Sequence, residues 1–194
     1  MRNETVAWRG DARRIWIMLK QGNRRWAAGS YRRPGLDPER RRQVAAGQSP
    51  CAVVLSCIDS RVPPEVVFDV GLGDLLVVRT AAHTLDSLVT AAVQYGPQAL
   101  CAPLVVVLGH QRCGAVTAAA EALRGRETLP GALPHLVAAL EPAYSTADGQ
   151  VEPMAHAHIR RTVALLRADP LLHGAATVIG AYYSLDTGLV SRVV

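Results

Sequence analysis

Two apolar runs of the same shape constrain this chain more than any other feature. The first, CAVVLSCIDSR at residues 51–61, carries Ala52 to Leu55 straight into Cys57, and Asp59 and Arg61 follow at alternate positions. The second, PLVVVLGHQRC at residues 103–113, ends in His110 and Cys113. Short runs of Val and Leu with no polar interruption read as strands covered on both faces. Covered strands of this kind belong to parallel sheets, because the crossover helices lie on the two faces.

The rest of the chain alternates accordingly. Strands are expected at 52–57, 75–81, 104–109 and 176–184, with a last short strand in LVSRVV after the turn at Asp186-Thr187-Gly188. Helices are expected at 11–28, where Gly22 weakens the middle, and at 37–46, with Asp37 as cap and Pro38 in the first turn. Others fall at 64–68, from residue 87 to about 95 where Gly96-Pro97 interrupts, and at 114–124, 132–147 and 151–168. The expected fold is α/β: a mostly parallel central sheet, four parallel strands plus an antiparallel edge strand, flanked by helices and preceded by an N-terminal helical arm. With 194 residues, no internal repeat and no linker, one domain accounts for the chain. Residues 1–46 form the arm and residues 47–194 the body.

Charge is uneven. Residues 1–42 hold 12 Lys and Arg against 4 Asp and Glu, while the remainder holds 9 against 12. Trp8, Trp16, Trp26 and Tyr31 in that basic arm recur at helical spacing among apolar residues, which favours an amphipathic or subunit-facing helix over nucleic-acid binding. No apolar run approaches the roughly 18 residues needed to span a bilayer. The stretch MRNETVAWRGDARR lacks an apolar signal region, so no membrane partner and a cytoplasmic location are expected.

Four cysteines without an export signal point to metal or catalysis rather than disulfides. Cys51 and Cys101 read as small core or near-surface thiols. Cys57 and His110 close strands, and Cys113 opens a helix, where the dipole favours a thiolate. Side by side and parallel, the two strands would bring two Cys and one His to one point. Three such ligands leave a fourth tetrahedral position for water, as a catalytic zinc requires. Two thiolates cancel the charge of Zn²⁺, so ionising that water needs a nearby acceptor. Asp59 is positioned to be one, with Arg61 holding it ionised and oriented.

Beyond these motifs, the stretches LKQGNRRWAAG (19–29), GQSP (47–50), CIDSRVPPEVVFDVGLGD (57–74), VVRTA (77–81), PLVVVLGHQRCGAV (103–116) and GAYYSLDTGLV (180–190) resemble the β-class carbonic anhydrases over nearly the whole chain. The resemblance implies Cys57, His110 and Cys113 as ligands of one Zn²⁺, and Asp59 with Arg61 as the catalytic dyad. It implies Gln48 as a hydrogen-bond partner of bicarbonate, and Leu76, Ala81 and Tyr95 as lining of the CO₂ pocket. The implied reaction is the reversible hydration of CO₂ to bicarbonate and a proton. Carbonyl sulfide or carbon disulfide hydrolysis on the same scaffold, or a non-catalytic zinc or bicarbonate-binding module, are the alternatives.

A homodimer or higher even oligomer is implied as well, with the arm embracing a neighbour that buries its tryptophans. Where the family commonly has Asn-Ala-Gly-Asn after the second strand's Arg, this chain has Thr80-Ala81-Ala82-His83. Ala82 in place of Gly narrows the backbone there, and His83 is a candidate for relaying protons outward. Val54 stands where a Trp marks an inhibitory second bicarbonate site in some relatives, so no such site is expected. Whether Asp59 faces Arg61 or the metal is left open by the sequence.

Overall fold

The computed structural model describes residues 11–194. Strands β1 (Ala52–Cys57), β2 (Leu75–Thr80), β3 (Leu104–His110), β4 (Thr177–Tyr183) and β5 (Val190–Arg192) form one sheet in the order β2-β1-β3-β4-β5. The first four are parallel, and β5 returns antiparallel beside β4. Around the sheet lie α1 (Ala12–Ala27), α2 (Pro38–Val44), α3 (Pro64–Val67), α4 (Ser87–Leu100), α5 (Gly114–Gly125), α6 (Leu133–Thr146) and α7 (Val151–Ala168). Every residue of β1 and β3 is buried, as their unbroken apolar character requires, whereas β2 is half-exposed at the sheet edge.

From β1 the chain first adds β2 on one side, then crosses to add β3 on the other. The crevice beyond the carboxyl ends of β1 and β3 is therefore a topological switch point, where an open parallel sheet leaves room for a ligand. Cys57 and His110 are the last residues of those two strands.

Several boundaries differ from the sequence expectation for physical reasons. Helix α4 does not stop at Gly96-Pro97 but runs to Leu100, ending on Cys101 in the left-handed conformation (φ 55°). Gly96 is there for closeness: a Cβ would lie 2.2 Å from Val53 Cγ2, so glycine lets the helix press onto β1. Gly22 likewise does not divide α1, because a Cβ there would lie 1.8 Å from the Phe68 carbonyl oxygen. The second strand stops at Thr80, and Ala81–His83 form a single 3-10 turn.

The arm also differs. Ile15 and Leu19 of α1 are fully buried in the same core as β1 and β3, and Trp16 meets Phe68 edge-on. Asn23 is buried, donates to the Val67 and Gly188 carbonyls and accepts from the Val190 N–H. Trp26 Nε1 donates to the Tyr183 hydroxyl at 3.1 Å. Trp16 and Trp26 are thus half-buried by their own chain, not left bare for a partner. Trp8 lies outside the described residues.

Candidate metal centre

The chain after β1 is held by Arg79 of β2. Its Nε donates to the Cys57 carbonyl at 2.8 Å and its Nη2 to the Asp59 carbonyl at 2.6 Å. An arginine inside an apolar strand was the only sequence sign of this role. Asp59 then accepts a forked pair from Arg61, Nε to Oδ1 at 2.9 Å and Nη2 to Oδ2 at 2.7 Å, plus the Arg61 N–H at 3.0 Å. These bonds hold its carboxyl down to about 2, so it is ionised at neutral pH. Arg61 Nη2 also donates to the Arg112 carbonyl at 3.1 Å, which ties the dyad to the turn after β3. The carboxylate engages Arg61, with Oδ2 3.9 Å from His110 Nε2.

That second turn is equally braced. Gln111 N–H donates to the Tyr183 carbonyl, and Arg112, at φ 51°, donates its N–H to Glu152 of α7 at 3.0 Å. Asp186 accepts from both the Arg112 guanidinium and Gln111 Nε2. Cys113 then caps α5, buried at the head of the helix. Glu152 carried no motif of its own and Asp186 read only as part of the turn before the last strand, since their partners are 40 and 74 residues away.

Cys57 Sγ, a His110 ring nitrogen and Cys113 Sγ all lie within 4.8 Å of one another, and all three residues are buried. The two sulfurs are 3.8 Å apart. A disulfide would need about 2.05 Å. Two ligands at about 2.3 Å on a tetrahedral metal sit about 3.8 Å apart. His110 Nδ1 faces the Gln111 carbonyl at 2.9 Å, which places the ring proton on Nδ1. Nε2 is then a buried lone pair with no hydrogen-bond partner, as a metal ligand would be. The Cys113 thiol, helped by His110, holds Cys57 well below the usual thiol range, and the Cys57 thiolate pushes Cys113 up. The donor set, its spacing and the orphaned nitrogen all fit zinc.

The remaining sequence candidates are distributed unevenly. Thr80 pairs with Cys57, so Ala81 stands beside the centre, and the N–H of Ala82 donates to Cys57 Sγ at 3.3 Å. That Ala82 contact was not anticipated. Leu76 pairs with Val53, about 13 Å short of the strand end at 3.3 Å per residue. Gln48 precedes Ala52, itself about 16 Å from Cys57 by the same measure, and is exposed. Tyr95 is 56% exposed on α4. His83 is buried at 3% exposure, with its proton affinity lowered well below the ordinary range by burial first and by His158 next. It does not reach solvent, which removes it as an outward proton relay.

The comparisons agree with this geometry. A family model described as carbonic anhydrase matches residues 52–190. The chain is 41% identical over 184 residues to carbonic anhydrase 2 of Mycobacterium tuberculosis, covering 89% of this chain and 88% of that one. It is 38% identical over 185 residues to a carbonic anhydrase of Mycolicibacterium smegmatis, covering 90% of each. Among solved structures, a tetrameric β-carbonic anhydrase of Sordaria macrospora superposes with a TM-score of 0.72 at 20% identity, covering 92% of this chain and 96% of that one. A carbon disulfide hydrolase in its apo form superposes at 0.54 with 17% identity, covering 75% of this chain and 79% of that one, and so shares the fold alone. With the motif residues meeting at the switch point and relatives this similar along nearly the whole length, the chain belongs to the β-class carbonic anhydrase family.

Proposed function

We propose that this protein catalyses the reversible hydration of CO₂ to bicarbonate and a proton at one zinc ion held by Cys57, His110 and Cys113. The observation that carries the reading is the buried Cys-His-Cys cluster at metal-ligand spacing with an ionised Asp59 beside it. Bound there, zinc supplies the Lewis acidity that makes water a nucleophile near neutral pH.

The chain's own residues do the rest. His110 is locked with Nε2 free by its Nδ1–H bond to Gln111, and burial keeps bulk water from competing for the ligands. Asp59 stays ionised because Arg61 grips both carboxylate oxygens, and it accepts the hydrogen bond of the water to be ionised. Arg79 and the Arg112 carbonyl hold that pair against the metal ligands. A non-catalytic zinc module would have no use for this arrangement. Relatives at 41% and 38% identity named carbonic anhydrase favour CO₂ over carbonyl sulfide or carbon disulfide.

Leu76 and Gln48 lie toward the far end of the sheet from Cys57, and Tyr95 faces solvent on α4, so none of them lines the pocket of its own chain in this reading. They reach a centre if a second copy packs against the β2 edge; Ile58, whose N–H donates to the Thr80 carbonyl at the end of β2, is 61% exposed, and Leu88 at the start of α4 is 80% exposed. A homodimer or higher even oligomer follows, with the pocket completed between copies. Among the described residues no helix is long and apolar enough to cross a membrane. The four free thiols fit a reducing compartment, and a cytoplasmic location is part of this reading. Stopped-flow CO₂ hydration by zinc-loaded protein is the test. No rate above buffer with full zinc occupancy would sink the reading.

A further inference from the structure

Ala82 and His83 are consecutive residues in the left-handed region, at φ 51° and φ 50°. A side chain disfavours that conformation, so something outside the turn must hold it. Hydrogen bonds close the ends: Thr84 donates its N–H and its hydroxyl to the Ala81 carbonyl, and the Thr80 hydroxyl donates to the Thr84 carbonyl. None of these fixes the Ala82 N–H, the group aimed at Cys57 Sγ.

Behind the turn lies an imidazole stack. His83 and His158 of α7 have ring centroids 4.6 Å apart and planes at 19°, and both side chains are more than nine-tenths buried. The floor under His83 is the backbone of β3 one residue before His110. Gly109 leaves the room, since a Cβ there would lie 3.3 Å from His83 Nε2 and 2.6 Å from Ile159 Cδ1. The Ala82 carbonyl faces the His158 ring and favours its proton, although neither ring nitrogen makes a hydrogen bond of ordinary geometry. Ala82 is thus held between Cys57 Sγ on one side and the His158 ring on the other. Three ring nitrogens of the pair are left without partners. An apolar pair of the same size would avoid that cost, so stability alone does not account for the histidines.

We propose that His83 and His158 are positioning residues. By stacking they hold the Ala81–His83 turn so that the Ala82 N–H donates to Cys57 Sγ, and this bond draws charge off the thiolate and sharpens the metal as a Lewis acid. The inference rests on the reading of Cys57 as a zinc ligand. It addresses a weakness of that ligand set, in which two thiolates cancel the metal's charge, and hydrogen bonds to ligand atoms are an established means of tuning a metal.

Cadmium-113 NMR of the loaded full chain tests it. The cadmium shift reports whether the metal sits on two thiolates, and a scalar coupling between ¹¹³Cd and the Ala82 amide proton reports the N–H···Sγ bond itself. Wild-type protein should show that coupling. His158→Leu should lose it and bind zinc about 10-fold more weakly, while His158→Phe, which keeps the stack, should retain both. Should His158→Leu fail to fold, His158→Met carries the same comparison. Cadmium bound through two thiolates without the coupling, or a coupling unchanged in His158→Leu, overturns this inference alone. Cadmium held without two thiolates overturns the metal-centre reading and this inference with it.

Discussion

Acidification should weaken the wild-type protein more than His158→Phe, by an amount the structure allows to be worked out. An exposed imidazole in the unfolded chain takes up its proton near pH 6.5. In the folded chain burial pushes His158 down to about 4, with the Ala82 carbonyl partly offsetting and Arg161 adding to the shift. Between those values the unfolded state binds a proton that the folded state does not. Stability therefore rises with pH through this window: it is fully present above about pH 6.5 and is lost as pH falls toward about 4. At pH 5 the linkage relation gives a loss of about 2 kcal/mol relative to pH 7.5, growing to about 3 kcal/mol by pH 4. Phenylalanine keeps the ring but cannot titrate, so the variant should be spared this share. Urea unfolding of both proteins under saturating zinc, at pH 7.5 and pH 5, reads the difference. With a slope of about 2 kcal/mol per molar, the wild-type midpoint should fall about 1 M further than that of the variant. Equal falls in the two proteins would refute the reasoning, because they would mean that His158 is protonated, or accessible to water, in the native state.

Other outcomes follow from the same geometry. Asp59→Ala should lower CO₂ hydration roughly 10²- to 10⁴-fold with zinc content unchanged, read by stopped flow and metal analysis; a normal rate would remove Asp59 from proton handling. Cys113→Ala should leave less than one zinc per chain after dialysis against a weak chelator, and full retention would contradict its place as a ligand. Gly22→Ala puts a methyl group 1.8 Å from the Phe68 carbonyl oxygen, so the melting temperature should fall by about 10 °C, corresponding to about 3 kcal/mol. A species of one chain in sedimentation at micromolar concentration would contradict the proposed pairing across the β2 edge.

Much of the centre was legible because its pieces are local. Cys57, Asp59 and Arg61 fall within five residues, and His110 and Cys113 within four, so a short strand and its exit turn carry each group. The braces were not legible. Arg79 acts across 22 residues on Cys57, Glu152 across 40 on Arg112, and Asp186 across 74. Their meaning depends on which strand lies beside which, and no local pattern encodes that. The arm shows the same limit: helical spacing placed Trp16 and Trp26 on a helix but could not say that α1 docks on its own sheet.

By itself, then, the sequence determined which strands are buried on both faces and which polar groups stand at their ends, because unbroken apolar runs have no other stable place. Only the tertiary structure decided that β1 and β3 are neighbours with their sulfurs 3.8 Å apart, and that Asp59 engages Arg61. It alone turned His83 inward onto His158 while keeping Leu76 near the far end of β2 and Gln48 ahead of β1. The reason is physical. Strand burial follows from transfer free energies that each residue carries with it, whereas register, pairing and the direction of a turn are set by atoms brought together only when the sheet assembles.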